Sequence, residues 1–303
     1  MVKKELINRF DLTALQDSFS ESAMAAACPK EFWRKPTYVE YVRNQNPFEG
    51  ITIFTDKQLH LAPEIESTYK VAIIQEPREL LPWAYDVIVQ FEDHYDLILT
   101  FDIDLIRRGK NYVFCPGDTA AIRTDGCKVH KKTRLISFPY SLKTQLFGHK
   151  LRHIIAKDII PKLNLGYDID YFGAGVGNFV DDKLETLQEY MFQIATENVQ
   201  KEFYFTDKIL DCAITGTVPI YWGPKNINSF FNPKGILQFD HPNELENILK
   251  NLNEKLYYDM LPYVEENYER AKYYMIQDDF FYDIIRKGLE KNGENIRVQQ
   301  REI

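Results

Sequence analysis

Short apolar runs recur through the first half of the chain, and segments with helical spacing of apolar residues lie between them. Such runs are typical of strands that are buried on both faces of a parallel sheet. The predicted strands are 51–54, 71–74, 96–101 and 112–114, and the predicted helices are 12–27, 82–91 and 103–108. This alternation of strands and helices favours an α/β domain.

The second half repeats the alternation with its own strands. Strands are predicted at 134–138, 169–172, 191–195, 218–222 and 236–239, with a helix at about 145–160 and helices after Pro242. We therefore predict a first domain at 1–130 and a second at 131–262. Helices in 263–303 are expected to pack back on the first domain.

The segment 197–223 is the most informative part of the sequence. It is predicted to form a loop, a helix, a tight turn and a buried strand. Thr206 can act as the helix N-cap, and Gly216 can end the helix. A helix N-terminus favours bound anions, and Lys208 adds a full positive charge there. An ordinary α/β turn with a solvated aspartate and lysine would give the same pattern.

Composition and charge narrow the class of protein. The chain has 303 residues, of which 45% are hydrophobic and 27% charged, as in soluble globular proteins. The formal net charge of -8 argues against a general nucleic-acid binder, which is normally basic. No segment approaches the run of about 18 apolar residues that spans a membrane, so no transmembrane segment is expected.

The segment 197–223 also resembles a known signature. Glu197-Asn198, then Tyr204, Thr206 and Lys208, and then the run 218–223 (VPIYWG) agree in type and spacing with the C-terminal signature of family 10 glycosyltransferases. These are the α-1,3-fucosyltransferases. The acidic residue before the lysine is usually glutamate in the family, whereas here it is Asp207.

The resemblance implies a fold and a chemistry. The fold is GT-B, an α/β architecture with two Rossmann-like domains that face a cleft and a C-terminal helix that returns to the first domain. The donor is a GDP-sugar, and no cofactor or essential metal is needed. The expected partners are thus a nucleotide-sugar donor and a glycan acceptor.

Glu76 is the candidate catalytic base. It lies two residues after the strand predicted at 71–74, and a carboxylate just past the carboxyl end of a parallel strand faces the crevice where α/β proteins bind ligands. Pro77 keeps Glu76 out of a helical conformation. The alternative is that Glu76 has no catalytic role and is an exposed loop residue paired with Arg78. The region is similar to the acidic loop that supplies the proposed base in family 10.

Two cations are the candidates for stabilising the departing diphosphate. The resemblance aligns Lys208 and Arg152 with a lysine and an arginine that contact the donor phosphates. Leu142 replaces the asparagine that the family has after Ser141, and the spacing to the arginine is longer, so Lys150 is a possible substitute. Arginine can grip two phosphate oxygens, whereas lysine acts as a point charge.

The resemblance also assigns the other donor-binding positions. Asp207 is expected to accept hydrogen bonds from ribose hydroxyls, with a side chain one methylene shorter than the family glutamate. Glu197 is expected either to line the donor pocket or to orient its loop through backbone N–H groups. The remaining donor-binding candidates are Asn198, Tyr204, Thr206 and Gly173.

Asp102 and Asp104 form a D-x-D pair after a predicted strand. In a different glycosyltransferase architecture such a pair holds a metal ion and a nucleotide. The same two residues can also cap the short helix that follows them. Chelator sensitivity would distinguish the two interpretations.

We therefore expect an inverting, metal-independent glycosyltransferase that moves a sugar, with L-fucose from GDP-fucose as the first candidate, onto a hydroxyl of a glycan acceptor. The alternatives are a GT-B enzyme that uses another GDP- or UDP-sugar, and an inactive protein that binds a nucleotide sugar or a glycan. Without the N-terminal anchor of the Golgi enzymes, a cytoplasmic bacterial or viral enzyme, free or at a membrane surface, is expected, or else a shortened chain.

Overall fold

The computed structural model describes residues 4–10, 35–55, 57–109, 111–122 and 124–292, which divide into two compact units. The first unit contains the described residues up to Asp118 together with those from Ile276 onward. The second unit runs from Thr119 to Met275. No helix in the described part of the chain is long and apolar enough to cross a membrane.

The first unit is built on a parallel sheet of six strands. Its order is β2-β1-β3-β4-β5-β6. The strands are β1 (Glu5–Phe10), β2 (Val39–Arg43), β3 (Phe48–Thr55), β4 (Ser67–Ile74), β5 (Leu97–Thr100) and β6 (Tyr112–Phe114). The helices are α1 (Pro82–Gln90), α2 (Ile103–Ile106) and, from the end of the chain, α7 (Gln277–Asn292). The expectation of parallel α/β sheets is confirmed for this unit.

Two strands of this sheet were missed by the hydrophobic pattern. Strand β1 carries Asn8 and Arg9 in its interior, so it does not form an apolar run. Asn8 is fully buried, and its amide donates to Thr52 Oγ1 (3.2 Å) and to the Gln45 carbonyl (2.8 Å). Strand β2 precedes the first strand predicted from the sequence, at 51–54. The helix predicted at 12–27 lies outside the described residues.

Helix α7 packs against the sheet of the first unit. A Cβ added at Gly288 would lie 2.6 Å from Leu97 Cδ1, so the helix and β5 are in close contact. Tyr282 donates to Glu5 Oε2 (2.7 Å) and stacks on Tyr38. The C-terminal helix therefore belongs to the same unit as the N-terminal strands, as expected.

The second unit is a parallel sheet of five strands in the order β11-β10-β9-β7-β8. The strands are β7 (Arg134–Pro139), β8 (Asp170–Phe172), β9 (Tyr190–Thr196), β10 (Val218–Trp222) and β11 (Leu237–Gln238). The helices are α3 (Phe147–Ile154), α4 (Asp207–Thr215), α5 (Pro242–Asn251) and α6 (Glu254–Ala271). Helix α3 is shorter than predicted because a π-helical turn, Ile155–Ile159, follows it.

Alternate residues of the central strands supply two separate cores. Ile194 and Trp222 pack in the cluster that includes α3, α5 and α6, whereas Ala195 and Tyr221 pack in the cluster that includes α4. The sheet is thus covered on both faces, which explains why its strands form continuous apolar runs. Helix α4 lies at the centre of the second cluster, to which the end of α6 also contributes.

The first and last residues of the second unit are tied to it by hydrogen bonds and apolar contacts. The Ala120 amide donates to the Tyr274 carbonyl (3.0 Å), and the Ala121 amide donates to Asp211 Oδ1 (2.6 Å). Ala271 is fully buried in the cluster of α4. Residues 119–130 and 263–275 therefore pack in the second unit. The domain predicted from the sequence was shorter, with limits at 130/131 and 262/263.

Both sheets follow one topological pattern. The first strand of each lies between the second and the third, and later strands are added outward from the third. In such sheets ligands bind outside the carboxyl ends of the strands, where the strand order reverses. In the second unit that position is the carboxyl edge of β7 and β9.

Candidate active site

Glu197 is the centre of the polar cluster at this edge. It follows β9 directly and is fully buried. Its Oε1 accepts hydrogen bonds from the Thr206 amide and from Tyr221 Oη, both at 3.0 Å. Its Oε2 accepts from Thr206 Oγ1 (2.8 Å) and lies 3.3 Å from Lys208 Nζ. These donors satisfy the buried carboxylate of Glu197, which thereby fixes the loop before α4.

Thr206 occupies the N-cap position of α4, but it does not cap the helix through its side chain. The predicted N-cap position of Thr206 is confirmed, but its hydroxyl donates to Glu197 instead of accepting from a helix amide. The prediction for the other end is confirmed: Gly216 ends the helix with a left-handed φ of 74°.

Lys208 lies in the first turn of α4 and joins two carboxylates. Its Nζ is 2.8 Å from Thr206 Oγ1, 3.3 Å from Glu197 Oε2 and 3.4 Å from Asp207 Oδ1. Burial lowers the pKa of Lys208, but Glu197 and Asp207 outweigh it and raise that pKa above its ordinary value. The side chain as a whole is 21% exposed.

Helix α3 rests directly on the Glu197–Asn198 backbone through Gly148. The Gly148 amide donates to the Asn198 carbonyl (3.0 Å). A Cβ at this position would lie 1.7 Å from the Glu197 carbonyl oxygen, a distance that only a glycine avoids. The N-terminal turn of α3 is thus held against the Glu197–Asn198 backbone, and that of α4 against the Glu197 side chain.

Arg152 of α3 reaches the end of β9. Its Nε donates to Thr196 Oγ1 (2.8 Å), and its Nη2 donates to the Thr196 carbonyl (2.5 Å) and to Asn198 Oδ1 (3.4 Å). Burial lowers the pKa of Arg152, with Glu197 and Asp207 opposing that shift. Lys150, the substitute considered from the sequence, is exposed on α3 and does not share these contacts.

His149 also lies in the cluster, although no sequence pattern predicted it there. The ring is buried, its Nδ1 accepts from the Leu146 amide (3.2 Å), and its side chain hydrogen-bonds Asn198. Burial, reinforced by Arg152, Lys143 and Lys208, lowers the pKa of His149 to about 4. The imidazole is therefore neutral at pH 7.

Two further charged residues were missed, Lys183 and Asp211. Lys183 Nζ bridges Asp207 Oδ2 and Asp211 Oδ2, the latter at 2.5 Å. Burial alone would raise the pKa of Asp207, but Lys183 and Lys208 outweigh it and hold that pKa far below its usual range. Asp207 is thus ionised and held by two lysines.

The cluster is balanced rather than strongly positive. The sequence led us to expect a cationic pocket, whereas each cation is matched here by a carboxylate. The cations are Arg152, Lys183 and Lys208, and the anions are Glu197, Asp207 and Asp211. The additional positive potential comes from the N-terminus of α4, which is buried in the same place.

Helix α4 is also anchored at its other end. Lys132 Nζ donates to the carbonyls of Thr215 (2.9 Å) and Leu187 (3.0 Å) and to Thr217 Oγ1 (2.9 Å). Burial lowers the pKa of Lys132 to about 7. A cation at a helix C-terminus complements the helix dipole, so this contact fixes the helix that carries Lys208.

The remaining donor-binding candidates occupy the same edge of the sheet. Tyr204 is buried in the loop between Glu197 and α4. Gly173 follows β8 with φ 105°, and a Cβ there would lie 2.9 Å from the Tyr140 carbonyl oxygen. Glycine is thus required at 173 by the backbone conformation and by the end of β7.

The two acidic motifs of the first unit have different surroundings. Glu76 is partly buried beyond the end of β4, and its carbonyl accepts from Tyr85 Oη (3.0 Å). Arg78, the residue considered as its ion-pair partner, lies over the Tyr85 ring at 4.4 Å and 3.8 Å from Asp102 Oδ2.

Asp102 caps α2. Its Oδ1 accepts from the amides of Asp104 and Leu105, both at 3.1 Å. Asp104 is exposed and pairs with Arg107 at 3.5 Å. The capping interpretation is confirmed for Asp102, whereas the Asp104 side chain caps no helix amide. Within the ranges that the structure describes, no three His, Cys, Asp or Glu side chains come together as a metal site.

Comparisons with known proteins bear on the second unit most directly. Residues 141–281 match the family model described as glycosyltransferase family 10 (fucosyltransferase), C-terminal part. The alpha-(1,3)-fucosyltransferase FucT of Helicobacter pylori is 34% identical over 115 residues, which cover 36% of this chain and 24% of that protein. The chain therefore matches only about a quarter of the length of this relative.

Two solved structures share the fold. An alpha1,3-fucosyltransferase with GDP has a TM-score of 0.55 at 18% identity, with 97% of this chain and 91% of that chain covered. A structure with GDP-fucose has a TM-score of 0.50 at 17% identity, covering 88% and 83%. The α/β architecture is thus that of GT-B glycosyltransferases. The match over residues 141–281 confirms that the C-terminal half of the chain is similar to glycosyltransferase family 10, the fucosyltransferase family of enzymes.

Proposed function

We propose that the protein is an inverting, metal-independent glycosyltransferase that transfers L-fucose from GDP-fucose to a hydroxyl group of a glycan acceptor. The observation that carries the proposal is the convergence on Glu197. Lys208, Arg152 and the N-terminus of α4 meet at the strand-order reversal of the second unit, inside the segment that matches the family.

This cluster suits a nucleoside diphosphate as leaving group. Breaking the bond between the sugar and the diphosphate places negative charge on the phosphate oxygens. Preorganised donors and cations stabilise such charge, and in this role Lys208, Arg152 and the helix N-terminus replace a metal ion. The guanidinium of Arg152 is already oriented by Thr196, so little side-chain entropy is lost when it binds phosphate.

Glu76 is the proposed base. It accepts the proton of the acceptor hydroxyl while that oxygen forms a bond to the anomeric carbon. The bond from this carbon to the diphosphate oxygen breaks on the opposite side, and GDP leaves with the electron pair. A single displacement of this kind inverts the anomeric centre. The position of Glu76 at the carboxyl end of β4 supports the assignment.

A thermal-shift panel tests the donor class. GDP-fucose, GDP-mannose, UDP-glucose, UDP-galactose and UDP-GlcNAc are each added with EDTA and with Mg²⁺. Saturating ligand at a hundred times its Kd adds about 2.7 kcal/mol of stability, enough for a shift of several degrees. We expect the largest shift with GDP-fucose, unchanged by EDTA. A shift that appears only with Mg²⁺ would contradict the metal-independent proposal.

A second donor remains a specific candidate because of Asp207. The Asp207 side chain is shorter than that of the usual family glutamate, and two lysines hold its carboxylate. We therefore expect its distance to the nucleotide to differ from that of the glutamate. Another GDP- or UDP-sugar is therefore the second candidate. A selective shift with one of the other donors in the panel would favour it over GDP-fucose.

A further inference from the structure

Lys183 connects two carboxylates that lie one turn apart on α4. It is carried by the short helix Lys183–Thr186, outside α4, and its Nζ contacts Asp207 Oδ2 and Asp211 Oδ2. Like charges four residues apart on a helix repel each other, so this pair of aspartates needs a cation between them. Lys183 is 20% exposed and supplies that cation.

The two aspartates have different roles. Asp211 is fully buried, and its Oδ1 accepts from the amides of Ala121 (2.6 Å) and Ile122 (3.2 Å). Its contacts join α4 to the start of the second unit, so Asp211 is part of the framework. Asp207 lies at the first position of the helix and is 26% exposed, so a ligand can reach its carboxylate.

Lys183 and Lys208 approach Asp207 from its two oxygens. Lys183 contacts Oδ2, and Lys208 lies 3.4 Å from Oδ1. A carboxylate has about four acceptor sites, and besides the two lysines the Thr206 side chain also hydrogen-bonds Asp207, so acceptor capacity remains for a ligand in a direction that the lysines determine. Loss of Lys183 would leave Lys208 as the remaining lysine at Asp207, with a repelling carboxylate one turn away.

We propose that Lys183 is a positioning residue, which orients Asp207 so that its carboxylate accepts hydrogen bonds from the ribose hydroxyls of the donor. The inference rests on the proposed function, because it requires a nucleotide at this site. It explains how an aspartate can serve where the family usually has a glutamate. The lysine fixes the shorter side chain, and a longer one would carry the carboxylate past it.

The test compares the affinity for GDP with that for 2′,3′-dideoxy-GDP by calorimetry. The single variant K183M would leave Asp211 buried and unpaired, so it is expected to fold poorly. The double variant K183M/D211N removes both buried charges, and the asparagine oxygen can still accept from Ala121 and Ile122. K183Q/D211N serves the same purpose if the methionine variant does not fold. D211N alone is the matched control, because the contact between Lys183 and Asp207 remains.

The wild type and D211N are expected to bind GDP about tenfold more tightly than the dideoxy analogue, a difference of about 1.4 kcal/mol. In K183M/D211N this preference should be lost, and adding D207N should cause no further loss. The variant K183R, which keeps the charge, should retain most of the preference. An unchanged preference in the folded double variant would overturn the inference and leave a structural role only.

The two proposals fail in different ways. If the wild type binds neither GDP nor its dideoxy analogue, the proposed function is overturned and the inference with it. If it binds both equally tightly, the nucleotide site survives but the role of Asp207 and Lys183 in recognising the ribose is overturned.

Discussion

The two units have the same strand order but place different chemistry at their carboxyl edges. In the second unit, the residues after β9 and at the starts of α3 and α4 hold one another through Glu197. In the first unit, Asp102 caps a helix and Arg78 packs on Tyr85. A shared topology therefore indicates where ligands can bind, whereas the side chains that follow each strand decide what is bound.

This contrast suggests that the two units have different roles in the reaction. A preorganised cluster of charges suits a ligand whose phosphates are always the same, such as a nucleoside diphosphate. The first unit lies largely outside the family match, which begins at residue 141. We assign the constant donor to the second unit and the base Glu76 to the first, and the following experiments test that assignment.

The variant E76Q is expected to have the largest effect. Gln retains the shape of the side chain but cannot accept the hydroxyl proton, so turnover should fall about a thousandfold. GDP affinity, which we assign to the second unit, should stay near that of the wild type in calorimetry. The neighbouring exposed variant E79Q is the control and should be active. Substantial turnover by E76Q would remove Glu76 as the base.

The variant K208A tests the second unit in the same way. Removal of a cation that stabilises the leaving diphosphate should lower turnover by about a hundredfold or more. GDP affinity should fall as well, in contrast to E76Q. Lys225, which is 73% exposed in the same unit, provides the control variant K225A. Near-normal kinetics of correctly folded K208A would contradict the assignment of the donor site.

The variant G148A tests how tightly α3 is held against the Glu197 loop. The new methyl group would overlap backbone atoms that cannot rotate away, so we expect a loss of about 2–3 kcal/mol in denaturant unfolding, with weaker GDP binding. Gly109 in the first unit has φ 76° and open space around it. The control G109A should therefore cost only about 1 kcal/mol of strain and leave GDP binding intact. Equal effects of the two variants would show that the close approach at Gly148 is unimportant.

The variant H149N has the smallest expected effect, and it appears only in acid. The pKa of His149 is about 4 in the folded protein and about 6.5 unfolded, so the unfolded state binds more protons between these values. This histidine thus contributes stability above about pH 6.5 that is lost as the pH falls towards 4. Asn keeps an acceptor for the Leu146 amide but does not titrate.

The measurement for this prediction is the unfolding free energy at pH 7 and at pH 4.5. The wild type should lose about 2 kcal/mol more than H149N between the two. Identical losses would mean that His149 titrates normally in the folded protein.

The strands buried on both faces were predictable because their apolar runs are unbroken, as in 71–74 and 218–222. Strand β1 was not, since Asn8 and Arg9 interrupt its pattern and the burial of Asn8 depends on hydrogen-bond partners more than thirty residues away. No strand was therefore predicted before residue 51.

Prediction of the candidate site from the sequence has the same limit, because some of its contacts join residues that are distant in the chain. The positions of Lys208 and Asp207 followed from a local motif, but Lys183 contacts Asp207 across 24 residues of sequence, and no local spacing joins them. One signal was available. Asp211 lies among the apolar residues of the α4 pattern, and a carboxylate on a buried helix face requires a cation or amide donors. That reasoning predicts a partner for Asp211 but does not identify it.

The central claim is that the carboxyl edge of β7 and β9 binds the donor nucleotide without a metal ion. Hydrogen exchange of the full chain with and without GDP, in EDTA, tests it most directly. The account predicts new amide protection in residues 146–152 and 197–210 of the second unit. Protection confined to the first unit, or protection that appears only when Mg²⁺ is added, would contradict it.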